Sequence, residues 1–201
     1  MTLRISRVPQ SALLTAFVFA CVQAASQPRA YTAAQAHSHN DYEQTSPFLL
    51  AFKEQFGSVE ADIHLVNGTL LVGHDARDLR PERTLEHLYL IPLRALHDPQ
   101  RPIQLLIDIK TAAIPTLDAL IVLLKKFPDI IQSPTIRFVV SGNRPDPKMY
   151  PKFPDFIWFD GRLEQNYTAE ELQKIALLSE DFSKLAGGKN ILPLSATARN
   201  R

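Results

Sequence analysis

The pattern that most constrains this chain is a repeated one: short apolar runs ending in ionisable residues, separated by stretches of helical periodicity. Residues 33–38 form the first run, and the helix expected next covers 46–56, with Ser46 as N-cap, Pro47 at the first helical position and Gly57 as its stop. Ser58-Val59-Glu60-Ala61-Asp62-Ile63-His64 then alternates small or apolar residues with ionisable ones, and this period of two predicts a strand with its polar groups on one face. Asn67-Gly68 leads into Thr69-Leu70-Leu71-Val72 and His74-Asp75, the signature of a hairpin.

Residues 77–101 are polar and proline-bearing, and read as mixed loop and short helix. Ile103-Gln104-Leu105-Leu106-Ile107-Asp108-Ile109-Lys110 is a buried strand that ends in two charges. An amphipathic helix follows over 116–127, with Leu117, Leu120, Ile121 and Leu124 at three-and-four spacing and Pro128 as its stop. Strands are expected at 136–141, 156–160 and 191–195. A helix over 169–178 is opened by Thr168, with Glu171 in the capping-box position.

Strand and helix in regular alternation imply a parallel sheet, and ionisable residues at strand C-termini imply a TIM-type (β/α) barrel whose active face lies there. A complete barrel of this type takes about 250 residues and eight strands. The 201 residues here show only about six, so the α/β barrel is expected to be incomplete at its C-terminus, with exposed strand edges.

The first thirty residues read differently. Arg4 and Arg7 precede an apolar run over 12–22, and Ala24, Ala25 and Ser26 follow, the three parts of a secretory signal peptide covering 1–24. The run is about half the roughly 20 residues that span a bilayer, so no stable transmembrane anchor is expected. The domain is then 25–201, secreted or periplasmic. A competing reading makes Cys21, the one cysteine, the lipidated residue of a bacterial lipoprotein, although Phe19 fits that pattern poorly. With Cys21 in the leader, no disulfide or thiolate metal site is available to the remaining chain. Charges of both signs are interspersed to a net +1, with no basic block to neutralise a row of phosphates, which argues against a nucleic-acid partner. Asn67-Gly68-Thr69 and Asn166-Tyr167-Thr168 match the glycosylation acceptor pattern, more simply read as chance in loops.

Three clusters lie at or just beyond strand ends: His37-Ser38-His39-Asn40-Asp41, then Glu60-Ala61-Asp62 with His74-Asp75, then Asp108-Ile109-Lys110. Glu60 and Asp62 share a face, as do Asp108 and Lys110, because side chains alternate across a strand. Carboxylates converging inside a barrel are costly unless a cation offsets them, and oxygen ligands without thiolates favour Mg²⁺ or Ca²⁺. Such an ion suits phosphate, and two histidines, His39 and His74, can divide the acid and base work.

Together, Ala36-His37-Ser38-His39-Asn40-Asp41-Tyr42, Ser58-Val59-Glu60-Ala61-Asp62, Leu71-Val72-Gly73-His74-Asp75 and Leu106-Ile107-Asp108-Ile109-Lys110 resemble the motif series of the glycerophosphodiester phosphodiesterases and related phosphatidylinositol phospholipase C-like barrels. The His39-Asn40-Asp41-Tyr42 element, residues 84–92, Val140-Ser141-Gly142-Asn143-Arg144 and Phe159-Asp160-Gly161-Arg162 resemble in particular the branch named for altered inheritance of mitochondria. The resemblance implies catalytic roles for His39 and His74, metal-ligand positions for Glu60, Asp62 and Asp108, and substrate contacts for Asn40 and Lys110. It further implies hydrolysis of a glycerophosphodiester or a lipid-derived phosphodiester. Asn40 stands where typical members have arginine, and Asp108 where many have glutamate, so phosphate affinity or substrate choice is expected to differ.

Each residue also has a bland reading. Lys110 can be a plain ion-pair partner of Asp108 or Glu60, His64 a structural or surface residue, and His87 and His97 solvent-exposed. Arg144 and Arg162 are candidates to meet an anion, Asp160 to enter the pocket, while Trp158 and Phe156 read as core. Two competing functions stand beside the hydrolase. One is a non-catalytic protein binding a phosphate ligand on the same barrel. The other is an amidohydrolase-like metallohydrolase opening with His37 and His39, which would need later histidines, and none follows His97. The partner expected is a small phosphodiester or lipid headgroup; oligomeric state is left open.

Overall fold

A computed structural model describes residues 30–96, 99 and 101–180. Its strands are β1 (His37–Ser38), β2 (Ser58–Val66), β3 (Thr69–Val72), β4 (Ile103–Ile109), β5 (Ile136–Gly142), β6 (Ile157–Arg162) and β7 (Ile175–Ser179). Its α-helices are α1 (Leu49–Lys53), α2 (Ile91–Ala95), α3 (Ala113–Leu124), α4 (Pro128–Ile131) and α5 (Ala169–Leu172). Six strands run parallel in the order β1-β2-β4-β5-β6-β7, and β3 folds back antiparallel on β2. The sheet curls into half of a TIM-type barrel, as the alternation of strand and helix requires.

Period-two alternation decides what each strand shows to either side. In β4, Ile103, Leu105, Ile107 and Ile109 are buried, while Gln104, Leu106 and Asp108 are half-buried and face the concave side. In β2, Val59, Ala61 and Ile63 are fully buried, and Glu60, Asp62 and His64 take the opposite face. The core lies between the convex face of the sheet and its covering helices. There α3 packs Leu117, Leu120 and Leu124 against β2, β3 and β4. The hairpin is as expected: Asn67 (φ 49°) and Gly68 (φ 80°) both take the left-handed conformation of a two-residue turn.

Several boundaries differ from the sequence reading. The first strand is two residues long, and a 3₁₀ turn at Ala33–Gln35 replaces its start. Ser46 does not cap a helix over 46–56. The Phe48 N–H is taken by the buried Asp41 carboxylate, Phe48 sits at φ 62°, and α1 begins only after it. Gln55 (φ 65°) turns the chain before Gly57, whose real constraint is space: a Cβ there would lie 1.9 Å from the Ala34 carbonyl oxygen.

Later in the chain, α3 starts at Ala113, ahead of the expected Thr116, and Pro128 opens α4 as well as ending the preceding helix. The Thr168 and Glu171 capping box is present, but the helix it opens lasts one turn. Residues from Ile175 then pair with β6 as a strand, because the sheet edge supplies backbone partners that outweigh the helical pattern of 169–178. The signal peptide at 1–24, Cys21, His97 and the strand expected at 191–195 lie outside the described residues. Among the described residues, no helix is long and apolar enough to cross a membrane.

Burial sets the first expectation. Leu105 is 1% exposed under the helices and Val122 is 62% exposed on α3. Leu105→Ala should cost about 2–5 kcal/mol and Val122→Ala less than about 0.5 kcal/mol, read from urea denaturation midpoints.

Candidate functional site

Strand register brings the acidic residues together. Asp62 on β2 pairs directly with Asp108 on β4, and Asp108 with Ser141 on β5, so the three share one level of the curled sheet. Glu60 lies one inward step below Asp62 on β2. Glu60 and Asp62 are 5% and 1% exposed, and one oxygen from each of Glu60, Asp62 and Asp108 lies within 4.8 Å of the others.

Lys110, just beyond β4, spans the pair, with Nζ 3.0 Å from Asp62 Oδ2 and 3.2 Å from Asp108 Oδ2. Burial alone would lower its pKa, but the two carboxylates outweigh burial and hold it above the usual lysine value. The Asp108 pKa is raised as well, but for the opposite reason. Burial, helped by the charges of Asp62 and Glu60 and only partly opposed by Lys110, raises its pKa.

The histidines stand above this buried layer, each gripped by a carboxylate through Nδ1. His39 Nδ1 lies 2.5 Å from Glu60 Oε2, and His74 Nδ1 lies 3.0 Å from Asp62 Oδ2. Both rings are largely exposed, at 74% and 56% of the side chain, so Nε2 is the nitrogen left to meet a ligand. Local geometry explains each position. His39 precedes Asn40, whose left-handed backbone (φ 48°) turns its N–H onto Glu60 Oε2 at 3.0 Å. His74 follows β3, where the buried His64 ring reaches the carbonyls of Gly73 and His74 at 3.0 and 3.2 Å through Nε2. His64 is therefore structural.

Burial raises the pKa of Glu60, but the His37 ring, the Asn40 N–H and the neighbouring His39 charge outweigh it and hold it below the ordinary glutamate value. Tyr42, 5% exposed, donates its hydroxyl to Asp62 Oδ2 at 2.8 Å and lies 3.5 Å from His74 Nδ1. Burial and that hydrogen bond push its pKa well up, so it remains a donor. Asp62 Oδ2 thus meets three donors, from Tyr42, His74 and Lys110, while Asp62 Oδ1 and Asp108 Oδ1 are buried and have no hydrogen-bond partner. Two bare carboxylate oxygens beside a third carboxylate are what a hard, oxygen-ligated cation requires, so the residues fit Mg²⁺ or Ca²⁺.

The structure brings together His39, His74, Glu60, Asp62, Asp108 and Lys110. It turns the Asn40 side chain onto Glu43 Oε1 at 3.4 Å, so the backbone of Asn40, and not its amide, reaches the acidic cluster. His87 is exposed, as expected. Arg144 and Arg162 both contact the buried Asp160 carboxylate, at 3.2 and 3.1 Å, and Asp160, Arg162 and Glu60 line one concave hollow of about 440 Å³.

Sequence reasoning assigned no role to Tyr42, Asp41 or Gly142. Tyr42 and Asp41 lie inside the quoted motif, but their bonds cross to residues distant in the chain. Gly142, at φ 68°, leaves room for Asp108: a Cβ there would sit 1.8 Å from Asp108 Oδ1. The Ser-Gly-Asn sequence at this strand end was the available signal.

The comparisons with known proteins give the class first: residues 26–112, which hold His39, Glu60, Asp62, His74, Asp108 and Lys110, match the AIM6-like phosphodiesterase domain, a phosphodiesterase-type family. Within it they support the altered-inheritance-of-mitochondria branch of the phospholipase C-like phosphodiesterase superfamily. The chain is 46% identical over 63 residues to "Altered inheritance of mitochondria protein 6 homolog" of Arthroderma benhamiae, covering 28% of this chain and 20% of that protein. It is 48% identical over 59 residues to "Altered inheritance of mitochondria protein 6" of Eremothecium gossypii, covering 28% of this chain and 15% of the relative. The chain thus matches a fifth or less of the length of these relatives. No solved structure matches.

Two expectations follow from the packing around Asp108. Gly142→Ala forces a side chain into left-handed backbone and against the carboxylate. It should cost about 1–3 kcal/mol and weaken divalent-cation binding in calorimetry. Asp108, with its raised pKa, resists ionising in the fold, so its charge counts against folding above the folded pKa and the penalty fades as the group protonates. Asp108→Asn should therefore melt higher than the parent in chelator at about pH 7, with the gain shrinking as pH falls through the Asp108 pKa.

Proposed function

We propose that this chain hydrolyses a phosphodiester at a divalent-cation centre held by Glu60, Asp62 and Asp108. The observation that carries the reading is the meeting of these three carboxylates, two of them with buried, unpartnered oxygens, beneath two histidines. A bound Mg²⁺ or Ca²⁺ supplies Lewis-acid polarisation of phosphoryl oxygens and offsets the buried negative charge.

The chain's own groups do the rest. Glu60 and Asp62 each accept a proton-bearing Nδ1, which fixes ring orientation and leaves Nε2 of His39 and His74 facing out. One ring, unprotonated at Nε2, takes a proton from the attacking water as its oxygen bonds to phosphorus, and the other, protonated at Nε2 as well, gives that proton to the alkoxide as the bond from phosphorus to that oxygen breaks. Lys110, protonated by its position between two carboxylates, keeps a positive charge beside the reacting phosphate. Tyr42 holds Asp62 so that Oδ1 stays free. The motif resemblance makes a glycerophosphodiester or related lipid-derived diester the proposed substrate class, reached outside the cytoplasm through the leader proposed at 1–24.

The test compares alcohol release from bis-p-nitrophenyl phosphate and from glycerophosphodiesters in Mg²⁺, Ca²⁺ or chelator. Turnover should require the cation, and His39→Ala or His74→Ala should each lower kcat by about 10²–10⁴ with the melting temperature retained. Turnover indifferent to chelator would remove the metal centre. Saturable binding of a diester without turnover would make the protein a phosphate-ligand binder instead.

A further inference from the structure

His37 is left over by this chemistry, yet it is built into place. Its Nδ1 lies 2.8 Å from Ser58 Oγ, which also accepts from Gln104 Nε2 at 3.1 Å, so the ring is held from behind by residues of β2 and β4. Its other nitrogen, Nε2, points at Glu60 Oε2, 3.6 Å away. His39 Nδ1 approaches the same oxygen at 2.5 Å, with the two rings 6.3 Å apart and inclined by 50°. One donor atom from each of His37, His39 and Glu60 falls within 4.8 Å of the others.

We propose that His37, His39 and Glu60 form a second metal site, selective for a borderline transition ion such as Zn²⁺, whose occupation switches the hydrolase off. Two imidazoles and one carboxylate are a three-ligand set that such an ion takes, with the fourth position left open. At bond lengths near 2.0–2.1 Å, tetrahedral ligand atoms lie about 3.4 Å apart. The His37 to Glu60 separation already has that value within a few tenths of an ångström. The His39 ring, exposed over 74% of its side chain, is free to open its closer contact. The oxygen-only set of Glu60, Asp62 and Asp108 prefers hard cations, so the two groups share Glu60 but differ in the ion they select.

Ser58 supplies the outer support a metal-bound histidine needs, by accepting the His37 Nδ1 proton and so directing Nε2 to the ion. The inhibition, unlike the binding, rests on the proposed hydrolase reading. With an ion on Nδ1, the His39 ring carries its proton on Nε2 and can no longer accept one.

The test uses the full chain stripped of metal and titrated with Co²⁺, whose visible absorption reports imidazole ligation independently of turnover. A band that saturates at one equivalent and is displaced by Zn²⁺ is expected. His37→Gln should abolish the band. Ser58→Ala, which leaves all three ligands in place, should weaken Co²⁺ binding by about tenfold. Melting curves of both variants should match the parent. In the diester assay at saturating Mg²⁺, Zn²⁺ should inhibit the parent and spare His37→Gln. Absence of the band, or a band indifferent to His37→Gln in a folded variant, overturns the site. Zn²⁺ inhibition that persists unchanged in His37→Gln overturns the switch. Binding that needs His37, in a protein that turns over no diester, upholds the site while removing the hydrolase reading.

Discussion

Mutual repulsion of Glu60, Asp62 and Asp108 is the constraint around which the concave face is organised. Adjacent strands run about 4.8 Å apart, so the direct pairing of Asp62 with Asp108 places two carboxylates side by side where little water reaches them. Within the chain, the offset comes from Lys110, which touches both, and from donors that share the load on Asp62 Oδ2. The arrangement leaves Oδ1 of each aspartate bare. A fold selected for stability alone would fill such a place with apolar residues, since buried ion pairs rarely outperform good packing. Keeping the charges together here makes sense as preparation for a cation.

The same constraint divides labour by depth. Glu60 and Asp62 are buried and Asp108 is half-buried, on long strands whose other face is fixed by Val59, Ala61, Ile63, Leu105 and Ile107. The histidines sit on short connections above them, exposed but tethered through one nitrogen. Rigidity comes from the sheet, and proton exchange with solvent comes from the connections. His64 and Asn40 serve the join between the two regimes, one by holding the backbone ahead of His74, the other by turning the chain so that its own N–H meets Glu60.

What was legible in the residues follows from which forces act locally. Alternation in β2 and β4, the Asn67-Gly68 turn and the Thr168 capping box depend on neighbours in sequence, and each appears in the structure. The acidic trio was readable because strand parity alone puts Glu60 with Asp62 and Asp108 with Lys110. The start of α1 was not, since it is set by the Asp41 bond to the Phe48 N–H. The conversion of 175–179 from helix to strand was not either, since it depends on an unpaired edge of β6 that only tertiary structure provides. Tyr42 belongs to the same class: its hydroxyl acts across 20 residues of chain, on Asp62.

Asp160 shows that residue type and barrel level do not by themselves define a cation site. It follows Ser141 across the sheet, is 2% exposed, and like Asp62 and Asp108 leaves Oδ1 without a partner. Its Oδ2, however, accepts from Ser141 and Ser179, and both Arg144 and Arg162 contact it. The bulge between Phe159 and Asp160 sets the register that brings Ser179 of β7 within reach. Two guanidinium groups around one carboxylate leave the Asp160 end of the concave face positive, whereas Glu60, Asp62 and Asp108, with one lysine between the two aspartates, leave the Glu60 end negative. A cation is drawn to one end and repelled from the other, while under the proposed reaction an anionic diester bound to the cation still faces arginine across the hollow. The concave face is therefore polarised along the sheet, from β2 to β7, and that polarity arises from which partners surround each aspartate, not from the aspartates themselves.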